Sequence, residues 1–161
     1  MNSAPSTFNM SSIQVRAIAV IIYQGSVLLH RISGDEFWTL PGGRVEIGED
    51  GASTVQRELA EELGEKVIVK DLTFIAENFF TYKGQQYHEL GLYFRTEMAP
   101  MSEKLLEKDI FSGIETSKKL EFCWFSQAQV PMMDIRPSFL RKSLNLAEPP
   151  FQHVVQRDRP F

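Results

Sequence analysis

A chain of 161 residues with 43% hydrophobic content has enough apolar material for one globular domain with its own core. Its formal net charge of −4 excludes bulk electrostatic binding to nucleic acid polymers or to an anionic membrane, but not an anionic small substrate, because a bound metal ion reverses the local sign. The single cysteine, Cys123, excludes an internal disulfide, and beside Trp124 in an apolar run it reads as core rather than as a reactive thiol.

Residues 1–12 are rich in Ser, Asn and Pro and read as a disordered arm, with no basic start or apolar stretch of a secretory signal. The apolar run Ile18 to Tyr23 is too short to span a bilayer, so the expectation is a soluble cytoplasmic protein with one domain over residues 13–161. The β-branched stretch IQVRAIAVIIY, the turn Gln24-Gly25-Ser26 and then VLLHRI predict a hairpin buried on both faces. Arg16 and Arg31 interrupt it, either as rim arginines or as guanidinium groups for phosphate.

FWTLPGGRVEIGED follows, where Pro41-Gly42-Gly43 marks a turn that lets backbone approach a ligand closely. The spacing then predicts a helix from about Asp50 to Leu63, with Asp50 as N-cap and Gly64 as its stop. One face carries Ala52, Val55, Leu59 and Leu63 and anchors the helix to the core. The opposite side carries Glu58, Glu61 and Glu62 at i, i+3 and i+4. Like charges at that spacing cost an isolated helix about 0.2–0.5 kcal/mol per pair, a repulsion that a hard divalent cation with oxygen ligands would turn into binding.

Downstream, Lys66 to Ala76 predicts a strand, and ENFFTYKGQQYHELGLYFRTE a long hairpin turning at Lys83-Gly84. Residues 99–118 read as an irregular loop and LEFCWFS as a short buried strand. Gln127 to Arg136 reads as a turn or brief helix broken by Pro131, PSFLRKSLNL as a helix opened by Pro137, and QHVVQRD as a last edge strand. The sum is an α/β or α+β sandwich, with a mixed sheet and helices against it.

Gly43, Glu49, Arg57, Glu58, Leu59, Glu61, Glu62 and Gly64 stand at the distances of the signature of the Nudix hydrolases, which the chain resembles over roughly residues 14–126. One position departs: Glu65 stands where an aliphatic residue is usual, with Val67 two residues on. The resemblance implies an α/β/α sandwich with a mixed sheet, in which the signature forms a loop–helix–loop box. The implied reaction is cleavage of the diphosphate of a nucleoside diphosphate linked to a moiety X, with Mg²⁺ or Mn²⁺ as cofactor. Carried over, Glu58, Glu61 and Glu62 are metal ligands, joined by the Gly43 carbonyl. Arg57 and Glu49 orient helix and loop through a salt bridge, Gly64 closes the box, and Glu61 is the first choice of general base. A nucleotide-sensing module of the same fold is the alternative; such proteins usually lose box acids, and this chain keeps all of them.

Relatives often place a Glu or His about six residues before the tryptophan of the late strand; here Lys118 and Lys119 stand there, leaving Glu115, Glu121 and Glu89 as candidates for a distant acid. His88-Glu89, inside an otherwise apolar strand, reads as an edge ion pair or as part of a site. Phe79, Phe80, Tyr82 and Tyr87 read as core or as a stacking surface for a base. Arg31, Glu89 and Tyr82 are the candidate substrate contacts. The substrate is a small nucleotide-like molecule: a (d)NTP, an oxidised nucleotide, ADP-ribose or a dinucleoside polyphosphate. Family members are often homodimers, and nothing in the sequence sets this chain's oligomeric state.

Overall fold

A computed structural model describes residues 12–98, 109–146 and 148–158, so residues 1–11 of the expected N-terminal arm and residues 99–108 of the expected loop lie outside the described residues. The strands are β1 (Gln14–Val20), β2 (Ile22–Tyr23), β3 (Ser26–Ile32), β4 (Gly42–Arg44), β5 (Val67–Tyr82), β6 (Gln85–Met98), β7 (Phe111–Ser112), β8 (Leu120–Ser126) and β9 (Gln152–Arg157). The helices are α1 (Gly51–Leu63) and α2 (Leu140–Ser143). One sheet has the order β4-β1-β6-β5-β9 and is mixed, because β1 runs parallel to β6 and β9 parallel to β5. The other has the order β2-β3-β8-β7, its strand pairs antiparallel.

Alternate residues of the strands feed two cores, as the two-residue period of a strand requires. Ala17, Ala19, Ile21, Leu28 and Phe122 pack with Val55, Leu59 and Leu63 of α1. Ile18, Val20, Leu29, Trp38, Phe74 and Tyr93 pack with Leu140 and Leu144 at α2. This is the expected α/β/α sandwich, with the buried Cys123 in the second core.

The strand pairing corrects the sequence reading. β1 does not form a hairpin with β3; it pairs with β4 and β6, and it is β2 with Ile21 before it that meets β3. Gln24 and Gly25 do make a tight turn (φ 48° and 76°), but an apolar strand buried on both faces takes its neighbours from the whole sheet. The break expected after Ala76 is also missing: β5 runs on to Tyr82, absorbing register shifts between Val69 and Phe74. The turn at Lys83-Gly84 and the strand Leu120–Ser126 stand where expected. Pro131 lies in a short 3₁₀ turn, Val130–Met132. The helix expected from Pro137 shortens to α2, and β9 is an edge strand. Among the described residues no helix is long and apolar enough to cross a membrane.

Candidate active site

Helix α1 is held at both ends and along one side. The Asp50 carboxylate accepts a hydrogen bond from the Ser53 N–H at 2.7 Å, and Gly64, in the left-handed conformation (φ 70°), donates its N–H to the Ala60 carbonyl at 2.9 Å. Val55 and Leu59 are fully buried beneath it. Successive residues on a helix differ by about 100°, so Glu58 and Glu62, one turn apart, share a direction that Glu61 leaves. Accordingly Glu58 and Glu62 are 5% and 2% exposed and line a cleft, whereas the Glu61 side chain is 47% exposed.

The Glu58 carboxyl lies directly against Gly43 of β4, where a side chain of any kind would occupy the same space. One of its oxygens accepts from Arg57 Nη1 at 2.9 Å, and the other lies 3.3 Å from Lys118 Nζ. That ammonium also stands 3.5 Å from Glu62 Oε1 and 3.5 Å from Glu115 Oε2. The turn carrying it is docked on the helix: the Ile114 N–H donates to the Glu62 carbonyl at 2.8 Å. A Cβ at Gly113 would press on the same carbonyl. Lys118 is therefore the largest departure from the sequence reading. The sequence shows it only as the occupant of a slot where relatives place an acid; in the fold it lies between two box glutamates.

Arg57 organises the outer flank. Its Nε and Nη2 donate to the two Glu49 oxygens at 2.8 and 2.9 Å, Nη1 reaches Glu61 at 3.4 Å, and Nη2 donates to the Arg44 carbonyl at 3.1 Å. The Thr54 hydroxyl donates to Glu49 at 2.6 Å. Hydrogen bonds from Arg57 and Thr54 pull Glu49 down to about 2. On the buried side the balance reverses. Burial, then the Glu58 charge, pushes Glu62 up to about 8 against the opposing pull of Lys118. Among the described residues Glu62 Oε2 has no hydrogen-bond partner, nor has His30 Nδ1, 3.9 Å away. Burial and the charges of Arg16 and Lys118 lower His30 to about 3, so the imidazole is neutral and the contact is not an ion pair.

Among the described residues no three His, Cys, Asp or Glu side chains are gathered as a metal cluster. The donor set nevertheless suits a hard cation: two buried carboxylates, one with an unpartnered oxygen, already closed around one positive charge.

The cleft continues away from the helix, with a volume of about 640 Å³. Arg31 lines it, yet its Nε donates to Glu121 Oε2 at 2.8 Å and its guanidinium lies 4.4 Å over the Trp38 ring. Tyr82 lines it too, donating to Asp35 at 2.9 Å and meeting the Phe37 ring edge-on. Phe80 lines the cleft and stacks on Tyr87 across the strands. Phe79 stacks on His88 with Arg157 over its ring. The edge ion pair between His88 and Glu89 is not formed, because neighbours on a strand face opposite ways. Glu89 instead lines the cleft, 3.9 Å from Arg16, and burial raises its carboxyl while Arg16 opposes the rise. Asn78 and His30 also line the cleft and were not singled out by sequence reasoning. The signal for each was a polar residue inside an apolar strand.

A family model described as the NUDIX domain matches residues 13–144. No curated protein matches the chain. Among solved structures, a NUDIX hydrolase from Nitrosomonas europaea is similar with 20% identity and a TM-score of 0.64, over 91% of this chain and 80% of that one. The MutT protein of Methanosarcina mazei Go1 has 21% identity and a TM-score of 0.60 over 83% of this chain and 91% of its own. An ADP-ribose pyrophosphatase from Streptococcus suis 89-1591 has 13% identity and a TM-score of 0.56 over 90% of this chain and 100% of its own. These likenesses are of fold; the family-model match, spanning the box and every strand but β9, is of family, and on it the chain belongs to the Nudix hydrolases.

Proposed function

We propose that the chain is a metal-dependent pyrophosphohydrolase that breaks the diphosphate of a nucleoside diphosphate linked to a second group. The observation that carries this reading is the pair of buried carboxylates, Glu58 and Glu62, closed around one positive charge at the head of a cleft of nucleotide size. Family membership supports the reaction class. The substrates in view are (d)NTPs, oxidised nucleotides, ADP-ribose and dinucleoside polyphosphates.

In this reading Glu58, Glu61 and Glu62, with the Gly43 carbonyl, hold Mg²⁺ or Mn²⁺. When bound, such an ion neutralises phosphate oxygens and lowers the pKa of a coordinated water. Arg57, tied to Glu49 and to the Arg44 carbonyl, fixes the direction of the Glu58 carboxylate and keeps Glu61 within reach of the helix flank. Glu61, exposed to water, serves as general base. Lys118, once freed from the carboxylates, offers its ammonium to a phosphate oxygen. Arg31, Tyr82 and Glu89 contact the remainder of the substrate along the cleft.

The test is a panel of dNTPs, 8-oxo-dGTP, ADP-ribose, NADH, diadenosine polyphosphates and sugar nucleotides with Mg²⁺ or Mn²⁺, followed by phosphate or pyrophosphate release. Metal-dependent turnover of at least one member is expected, reduced on the order of 100-fold or more in Glu61→Gln and in Glu62→Gln. Equal turnover by wild type and both variants would sink the site assignment. Tight binding without turnover would favour a nucleotide sensor.

A further inference from the structure

Deep in the cleft, three polar side chains stand in a row across neighbouring strands: Arg16 on β1, Glu89 on β6 and Asn78 on β5. Asn78 and Glu89 are directly paired across β5 and β6, so their side chains share a face. Arg16 sits two residues along β1 from Gln14, the partner of Glu89, and its Nε is 3.9 Å from Glu89 Oε2. Asn78 and Glu89 are 6% and 8% exposed. Among the described residues Asn78 Oδ1 has no hydrogen-bond partner, and the ion pair of the Glu89 carboxylate is the long contact to Arg16.

Leaving buried polar atoms without partners is costly, so a row of them lining an open cleft asks for a ligand. Of the neighbouring residues, Ile18 and Gly91 carry no polar side chain. The order of the row is chemically specific: a donor (Arg16), a two-oxygen acceptor (Glu89), then a further acceptor (Asn78 Oδ1). The Watson–Crick edge of guanine presents the complement, the O6 acceptor followed by the N1–H and N2–H donors. Adenine presents a donor followed by an acceptor, and uracil a single donor between two acceptors; neither fits two adjacent acceptors. Aromatic rings close by at Phe80, Phe37 and Tyr82 offer faces for a base.

We propose that Arg16, Glu89 and Asn78 form a base-reading subsite selective for the Watson–Crick edge of guanine. The inference rests on the nucleotide reading above and names the base of its substrate. Guanine and its C8-oxidised form share this edge, so the row recognises either.

The test measures binding by calorimetry with nucleoside monophosphates in Mg²⁺, which contain no diphosphate to be cut, so affinity is read apart from turnover. GMP is expected to bind on the order of tenfold or more tightly than IMP, which lacks the N2 amino group, and than AMP. Glu89→Gln exchanges one acceptor for a donor and is expected to bring the GMP-to-AMP ratio down by on the order of tenfold. Asn78→Leu removes the last acceptor at similar volume and is expected to weaken GMP while leaving IMP in place. Melting curves of both variants confirm that they fold, and Glu89→Gln is close to isosteric if Asn78→Leu does not. Comparing GMP with 8-oxo-GMP tells which form of guanine is preferred, and either preference supports the subsite. Equal affinity for GMP, IMP and AMP, or an unchanged ratio in Glu89→Gln, overturns it; if diphosphate turnover then persists without base preference, the hydrolase reading stands alone. Absence of any nucleotide binding or turnover overturns both.

Discussion

Glu49 and Glu62 belong to the same loop–helix unit, and each has a cationic neighbour, yet their carboxyls are driven in opposite directions. Glu49 sits at the wet flank, gripped by two nitrogens of Arg57, and falls to about 2. Glu62 sits 2% exposed beside Glu58, shares one ammonium with two other acids, and rises to about 8. Formal charge counting treats the two as alike; what separates them is the water and hydrogen bonds each retains. The flank is a finished structural brace, while the cleft side is left short of positive charge.

The sharpest way to break that comparison is Gly43→Ala, because the new methyl must displace the Glu58 carboxyl that lies between the two sides. Misplacing a reacting constellation by about 1 Å costs on the order of 100-fold in rate, so turnover should drop about that much while the melting temperature changes little. An active Gly43→Ala enzyme would show that the Glu58 position is not needed.

Lys118→Met comes next. It leaves two buried carboxylates and Glu115 without their shared cation. Because the lysine side chain is 42% exposed, the cost is discounted for solvent screening to about 1 kcal/mol, roughly 3 °C in melting temperature in EDTA. Mg²⁺ should restore more stability to the variant than to wild type. An unchanged melting temperature in EDTA would mean that the ammonium contributes nothing there.

A third test is read against pH without metal. Glu49, lowered from 4.5 to about 2, stabilises the fold above pH 4.5 and loses that contribution as pH falls through 2. Glu62, raised from 4.5 to about 8, acts with the other sign: the unfolded chain releases its proton first, so stability declines as pH rises from 4.5 through 8. Denaturant titrations should show the acid-side loss missing in Glu49→Gln and the decline toward pH 8 missing in Glu62→Gln. Identical profiles in both variants would contradict the opposed environments.

The same division explains what could be read from the residues. The box was legible because its groups lie within one loop and one helix, where spacing converts directly into direction: Asp50 caps, Gly64 stops, and Val55 and Leu59 aim the acids. The α/β sandwich was legible from the order of its elements, but its second, antiparallel sheet was not. Strand partnership was not, since β1 meets β6 across some 70 intervening positions and the local turn at Gln24-Gly25 pointed elsewhere. Lys118 was hidden for a similar reason. It reaches the glutamates only because a turn bounded by Gly113 and by Lys119, at φ 49°, is pinned to the end of α1. Glu89 could be flagged as odd in its strand, but its alliance with Asn78 and Arg16 exists only once β1, β6 and β5 lie side by side.

The ammonium of Lys118 also bears on how the protein comes into being. Domains whose acidic or thiolate clusters have no internal counter-charge must meet their ion in order to fold, and a chelator then unfolds them. This chain brings its own positive charge to the acidic face of α1, on a tether of fixed length from β8. On the proposed function, folding can therefore be completed first and loading left for later, so that scarcity of a divalent ion would idle the molecule without sending it to be degraded.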